Sequence, residues 1–171
     1  YKGAEIRFDG SDNDYLLIGY PDWLLHDADR VFKDGLGAFS KRCRQTDALL
    51  IQAHPYRGAC SPADPRYLDG VEVLNRNQDW DNQNPKALAF AQENNLIQTS
   101  GSDCHTPDQI GNGGIISDTL PEDDAALIQL LRSGLLSCCS ALCKPIQRKR
   151  ADPFGHHNPQ HAGFRAGLQR L

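Results

Sequence analysis

Ala48-Leu49-Leu50-Ile51-Gln52-Ala53-His54-Pro55-Tyr56-Arg57 is the stretch on which the fold turns. Apart from Gln52 its first six residues are apolar. A short apolar run of this kind, closed by a proline that cannot continue regular pairing, reads as a buried strand. The strand delivers His54 to its end. Residues 56–65 then form a loop rich in Gly, Pro and Ser.

Outward from this strand the pattern repeats. Gly70-Val71-Glu72-Val73-Leu74-Asn75 is a second short strand. Residues 84–94 read as a helix, with Pro85 in its first turn and Ala87, Leu88 and Ala91 facing inward. Residues 96–99 form a strand that leads straight into Gly101-Ser102-Asp103-Cys104-His105. Upstream, residues 4–8 and 15–19 look like two neighbouring strands, joined by the polar turn at residues 9–14. Residues 23–43 carry apolar side chains at helical spacing, with Val31, Phe32 and Leu36 on the inner face. Residues 121–133 form a last helix striped by Leu127, Leu130 and Leu131 and ended by Gly134. Strand alternating with helix predicts an α/β fold with parallel strands. His54, Asn75, Asp103 and His105 all fall just after strands, where sites of parallel α/β proteins are built.

The bulk properties exclude several classes. The 171 residues suffice for one domain with a core. A net charge of −4 gives no broad electrostatic footprint for DNA or RNA. No apolar run reaches the ~20 residues of a membrane span, and no N-terminal segment has the form of a secretory signal. The six cysteines are scattered or bunched rather than framework-like, which predicts reduced thiols in a cytoplasmic protein. The chain contains no methionine, which predicts a fragment that lacks its natural N-terminus.

Asp103-x-His105 after a strand offers an oxygen and a nitrogen ligand on the same side of an extended segment. Gly101 lets the backbone turn there. Read alone, the pair could equally be a capping aspartate and a surface histidine. His54 reads as a ligand or as a core histidine satisfied by backbone. Arg57, three residues on, has the planar fork that suits phosphate, or else pairs with a nearby carboxylate. Glu5 sits mid-strand beside Ile6 and Phe8, so its carboxylate must be paired, exposed or metal-bound. Glu72, between Val71 and Val73, poses the same question.

Taken in order and spacing, residues 51–57, 70–75 and 101–105 resemble the PHP family (polymerase and histidinol phosphatase) over about residues 1 to 136. The resemblance implies a distorted (β/α)7 TIM-like barrel, incomplete in this chain. It implies two or three divalent ions, Zn, Mn or Fe, and hydrolysis of phosphoesters. Glu5 resembles the family's bridging glutamate, His54 the histidine of its His-Pro motif, and Asp103 and His105 its final Asp-x-His pair. His54, Asp103 and His105 are thus the expected catalytic residues, and Arg57 and Asn75 the expected substrate contacts. The family's opening His-x-His strand has no counterpart before Glu5. Where many members place a further histidine, Asp14 stands as the oxygen ligand. The resemblance implies a small phosphorylated substrate, with nucleic acid entering only as a nucleotide, no membrane partner, and a sequence compatible with an oligomer. The change of composition at Cys138 divides the chain into a hydrolase-like domain at residues 1–137 and a basic tail with Pro, Gly and His at residues 138–171.

Two rival readings compete. A non-catalytic PHP-like binding or structural domain would keep the scaffold without turnover. The tail spacing Cys139-x3-Cys143-x12-His156-x4-His161 fits a two-Cys, two-His zinc module. Against it, Gln147 and Pro153 stand where its apolar core should be, and Pro153, Gly155 and Pro159 would break its helix.

Overall fold

A computed structural model describes residues 1–140. Five strands form one sheet in the order β1 (Gly3–Arg7), β2 (Asp14–Ile18), β3 (Leu49–Gln52), β4 (Gly70–Asn75) and β5 (Ile97–Gly101). Two more, β6 (Gly113–Ile116) and β7 (Ser137–Ser140), pair antiparallel as a separate ribbon. Three α-helices complete the elements: α1 (Ala28–Cys43), α2 (Asn84–Glu93) and α3 (Asp124–Ser133).

The TIM-like barrel expectation is corrected by this topology. Among the described residues the main sheet is open and mixed, not closed and parallel. The β1–β2 and β2–β3 pairs are antiparallel; only β3–β4 and β4–β5 are parallel. The physical reason lies in the first connection. Six residues, 8–13, separate β1 from β2. A parallel crossover needs a dozen or more residues and usually a helix, so this pair can only be a hairpin-like reversal. The α/β character itself holds from β3 to β5, where α2 carries the chain from β4 to β5.

Strand β3 lies at the middle of the sheet and is buried along its whole length, as its sequence requires. Leu50 joins a core with Tyr15, Leu17, Val31, Phe39, Val71, Ala87 and Ala91, built with α1 and α2. Leu49 and Ile51 join Ile18, Leu127, Ile128 and Leu131 of α3 on the other side. The period-2 alternation of a strand thus divides one apolar run between two cores. Helix α1 is kinked at Gly35, whose φ of 75° breaks the helical ladder. Helix α3 starts at Asp123, whose carboxylate accepts from the Ala126 amide at 2.8 Å, and stops at the left-handed Gly134.

Residues 138–140 of the expected tail form most of β7. There the Cys139 thiol donates to the Gly114 carbonyl at 3.3 Å. Cys143, His156 and His161 of the zinc-module reading lie outside the described residues, as does the rest of the tail. Among the described residues no helix is long and apolar enough to cross a membrane.

Candidate metal centre

The β1–β2 register sets Arg7 opposite Asp14 and Glu5 opposite Leu16. The Ala53 amide donates to the Asp14 carbonyl at 3.0 Å, which extends the β2–β3 pairing to the residue before His54. Glu5, Asp14 and His54 therefore arrive together from three adjacent strands. One ligand atom from each lies within 4.8 Å of the others. The His54 Nε2 is 3.8 Å from a Glu5 oxygen and 3.6 Å from an Asp14 oxygen. A tetrahedral ion bound at about 2.0 Å spaces its ligand atoms about 3.3 Å apart, so small adjustments would complete the set.

His54 is 2% exposed and its backbone sits at φ 28°, in the left-handed region. The next turn explains its surroundings. The Arg57 amide donates to the His54 carbonyl at 3.0 Å, folding the Arg57 side chain back over the imidazole. Arg57 Nη2 then donates to His54 Nε2 at 2.7 Å. A guanidinium has no acceptor, so Nε2 must present its lone pair and the ring proton must sit on Nδ1. Nδ1 faces the Cys60 sulfur at 3.8 Å, and that thiol donates to the Asp12 carbonyl at 3.1 Å. Burial pushes the Cys60 thiol up in pKa. Two carboxylates thus converge on an imidazole nitrogen whose lone pair accepts an Arg57 N–H.

Asp14 is not free of other charge. Arg7 grips it in a bidentate pair, with both nitrogen–oxygen distances at 2.6 Å. The same contact raises the Arg7 pKa, through the hydrogen bond first and the charge second. Each carboxylate oxygen has a second lone pair, so the grip leaves Asp14 able to ligate.

Asp103 reaches this cluster through Arg57. The other Arg57 nitrogen, Nη1, hydrogen-bonds the Asp103 carboxylate. Asp103 also accepts from Asn75 Nδ2 at 3.1 Å. Asn75 donates to Glu72 at 2.9 Å, and the same Glu72 oxygen accepts the His54 backbone amide at 3.0 Å. His54, Glu72, Asn75, Asp103 and Arg57 therefore close a ring of hydrogen bonds. Glu72 is buried, and that burial raises its pKa against the lowering effect of Asn75 and the His54 amide. Gly101 leaves room beside it: a Cβ there would stand 2.8 Å from the other Glu72 oxygen and push it aside.

His105 stands apart. Its side chain is 66% exposed, with Nδ1 3.0 Å from the Asp103 carbonyl and 3.3 Å from Asn77 Nδ2. Among the described residues, the group of three donors close enough to share an ion comprises Glu5, Asp14 and His54; Asp103 and His105 form a pair outside it, with His105 Nδ1 3.7 Å from an Asp103 oxygen. Asn77, 2% exposed, also donates to the Asp103 carbonyl at 3.1 Å. Gln109 accepts from the His105 and Thr106 amides and holds the loop from the other side. Sequence reading named Glu5, Asp14, His54, Arg57, Asn75, Asp103 and His105. It left Glu72 without a role, although a glutamate between two valines was the available signal, and it did not find Arg7, Asn77 or Gln109.

Glu5, His54, Glu72, Asn75, Asp103 and His105 line one cavity of about 450 Å³. Leu16, Ile18, Ile115 and Leu127 also line it.

Three comparisons bear on this centre. A family model described as PHP-associated matches residues 81–135, in agreement with the PHP resemblance of the sequence motifs. The matched segment holds α2, β5 and the Asp103–His105 loop but not Glu5, Asp14 or His54, and it carries no evidence of catalysis. Among solved structures, the chain is similar to PsfC from Pseudomonas syringae PB-5123, with a TM-score of 0.62 and 20% sequence identity. That likeness, which is one of fold, covers 82% of this chain and 59% of that one, so the chain spans less than two thirds of the PsfC length. Comparison with curated proteins finds no match.

Proposed function

We propose that this chain is a PHP-like metal-binding domain that holds a divalent cation at Glu5, Asp14 and His54 and does not by itself turn over phosphoesters. One observation carries the reading: the convergence of two carboxylates on the Nε2 side of a buried imidazole, with one ligand atom of each within 4.8 Å of the others. Like charges brought together at a partly buried site raise its free energy unless cations answer them, a role that Arg7 and Arg57 fill in this structure and that a metal ion would share. Mixed carboxylate and imidazole donors suit Zn, Mn or Fe. The PHP-associated family match supports a binding or structural role more directly than a catalytic one.

Phosphoester hydrolysis is the second reading, favoured by one feature. Arg57 lies beside the donors, with a planar fork able to hold phosphate oxygens. A bound divalent ion would supply an activated water and neutralise charge on the phosphate. In that case Glu5, Asp14 and His54 would hold the ion, Arg57 would orient the anion, and Asn75 would keep Asp103 in place.

Calorimetric titration of the whole chain with Zn²⁺ and Mn²⁺ tests the proposal. Single-site binding is expected, weakened on the order of tenfold or more by His54→Ala or Asp14→Asn. Hydrolysis of 4-nitrophenyl phosphate with added Mn²⁺ is expected to stay at the level of buffer. Hydrolysis that disappears in His54→Ala would replace the binding reading with the catalytic one.

A further inference from the structure

His54 Nε2 has two claimants. It is the nitrogen that faces Glu5 and Asp14, and it is also the acceptor for Arg57 Nη2 at 2.7 Å. An imidazole nitrogen has one lone pair, which cannot serve a guanidinium proton and a metal ion together. Resting on the metal-binding reading above, we propose that Arg57 is a resident cation. It occupies the His54 lone pair when no metal is bound and must leave it for metal to enter.

The geometry supplies the first position for such an exchange and a neighbour for the second. In the first, the guanidinium spans Asp103 and His54, its side chain only 15% exposed. The backbone turn at residues 54–57 aims it there. In that same position its carbon lies 5.6 Å from the centre of the Trp80 ring, which is 57% exposed. A guanidinium released from His54 can keep its cation–π contact and its hold on Asp103 while it turns a free edge outward. That edge carries N–H donors in the fork that fits a tetrahedral oxyanion such as phosphate.

The exchange has a thermodynamic consequence. An anion that draws Arg57 off His54 makes the lone pair available, so metal and anion should each tighten the binding of the other by the same factor. Arg57 would then be a positioning residue for joint occupancy rather than a metal ligand. The exchange also explains why a buried histidine keeps an arginine against its ring: the guanidinium answers the charge of the Glu5, Asp14 and Asp103 carboxylates until another cation replaces it.

The test is Zn²⁺ affinity of the chain and of its Arg57→Met and Arg57→Lys variants, with Trp80 fluorescence recorded alongside and Trp80→Phe as the spectral control. Arg57→Met is expected to bind Zn²⁺ on the order of tenfold more tightly, the scale of one charge-assisted hydrogen bond. Arg57→Lys keeps the charge but loses the fork that spans Asp103 and His54, and is expected to bind more tightly than wild type as well. Zinc should change Trp80 emission in the wild type and leave it unchanged in Arg57→Met. Equal affinities in wild type and Arg57→Met would overturn the exchange while leaving the metal site standing. Tighter binding in Arg57→Met with Arg57→Lys equal to wild type would reduce Arg57 to a distant charge and also overturn it. No zinc binding by any of the three proteins would remove the metal site and the exchange together.

Discussion

His54 and Asp103 adopt φ values of 28° and 46°, a region in which side chains with a Cβ are strained. Both belong to the hydrogen-bonded ring, and Glu72 holds the His54 amide in that ring directly. Glu72 is also where pH should act. Its folded-state pKa is raised by burial above the ordinary carboxylate value. The folded chain therefore keeps this proton more tightly than the unfolded chain. Stability falls as pH rises through the window between the two values, and the loss persists above it. Glu72→Gln retains an acceptor for His54 and Asn75 but has no such proton to lose. Its stability relative to wild type, from urea unfolding between about pH 4 and pH 8, should rise with pH. A difference that stays flat would show that Glu72 is not the group responsible. Much of this scale was legible in the sequence. His54 and Asp103 stand out as ligand types just after strands, Glu5 as a carboxylate in the middle of an apolar strand, and Asp14 through the family resemblance. Arg7, Asn77 and Gln109 did not, because their role depends on which residue lies opposite or across a loop.

At the scale of elements, apolar runs and helix periodicity located β1 to β5 and the three helices to within a few residues. The strands β6 and β7 went unseen. β7 is Ser137-Cys138-Cys139-Ser140, without an aromatic or β-branched residue, and β6 offers only Ile115 and Ile116 after two glycines, too short a run to mark a strand before pairing. Strand direction was misread although a signal was present: six residues between β1 and β2 cannot make a parallel crossover. The parallel pairs are more demanding of their glycines. Gly70 on β4 is paired with Ile97 on β5, and a Cβ there would stand 2.7 Å from the Ile97 carbonyl oxygen. Backbone cannot yield as a side-chain tip can. Gly70→Ala should cost about 1–3 kcal/mol or more by chemical denaturation. Gly114→Ala on β6, where an added Cβ meets nothing within 4 Å, should change stability by less than about 0.5 kcal/mol. Equal costs at the two positions would mean that the β4–β5 packing is looser than these distances imply.

Across the whole molecule, the open sheet with helices on both faces leaves the ends of β3, β4 and β5 and the sides of β1 and β2 facing one cavity. That placement, rather than any one motif, joins the Glu5–Asp14–His54 cluster to the Arg57–Asp103 pair. Sequence order alone could not say which candidates share an ion. It names Glu5, Asp14, His54, Asp103 and His105 as one ligand set; the hairpin between β1 and β2 brings Glu5 and Asp14 beside His54, with Asp103 and His105 outside that group of three. Anomalous diffraction from crystals of the chain loaded with Zn²⁺ tests this grouping most directly. The expected result is a peak within about 2.0–2.2 Å of Glu5, Asp14 and His54 Nε2. A peak at Asp103 and His105 with none among those three residues would contradict it.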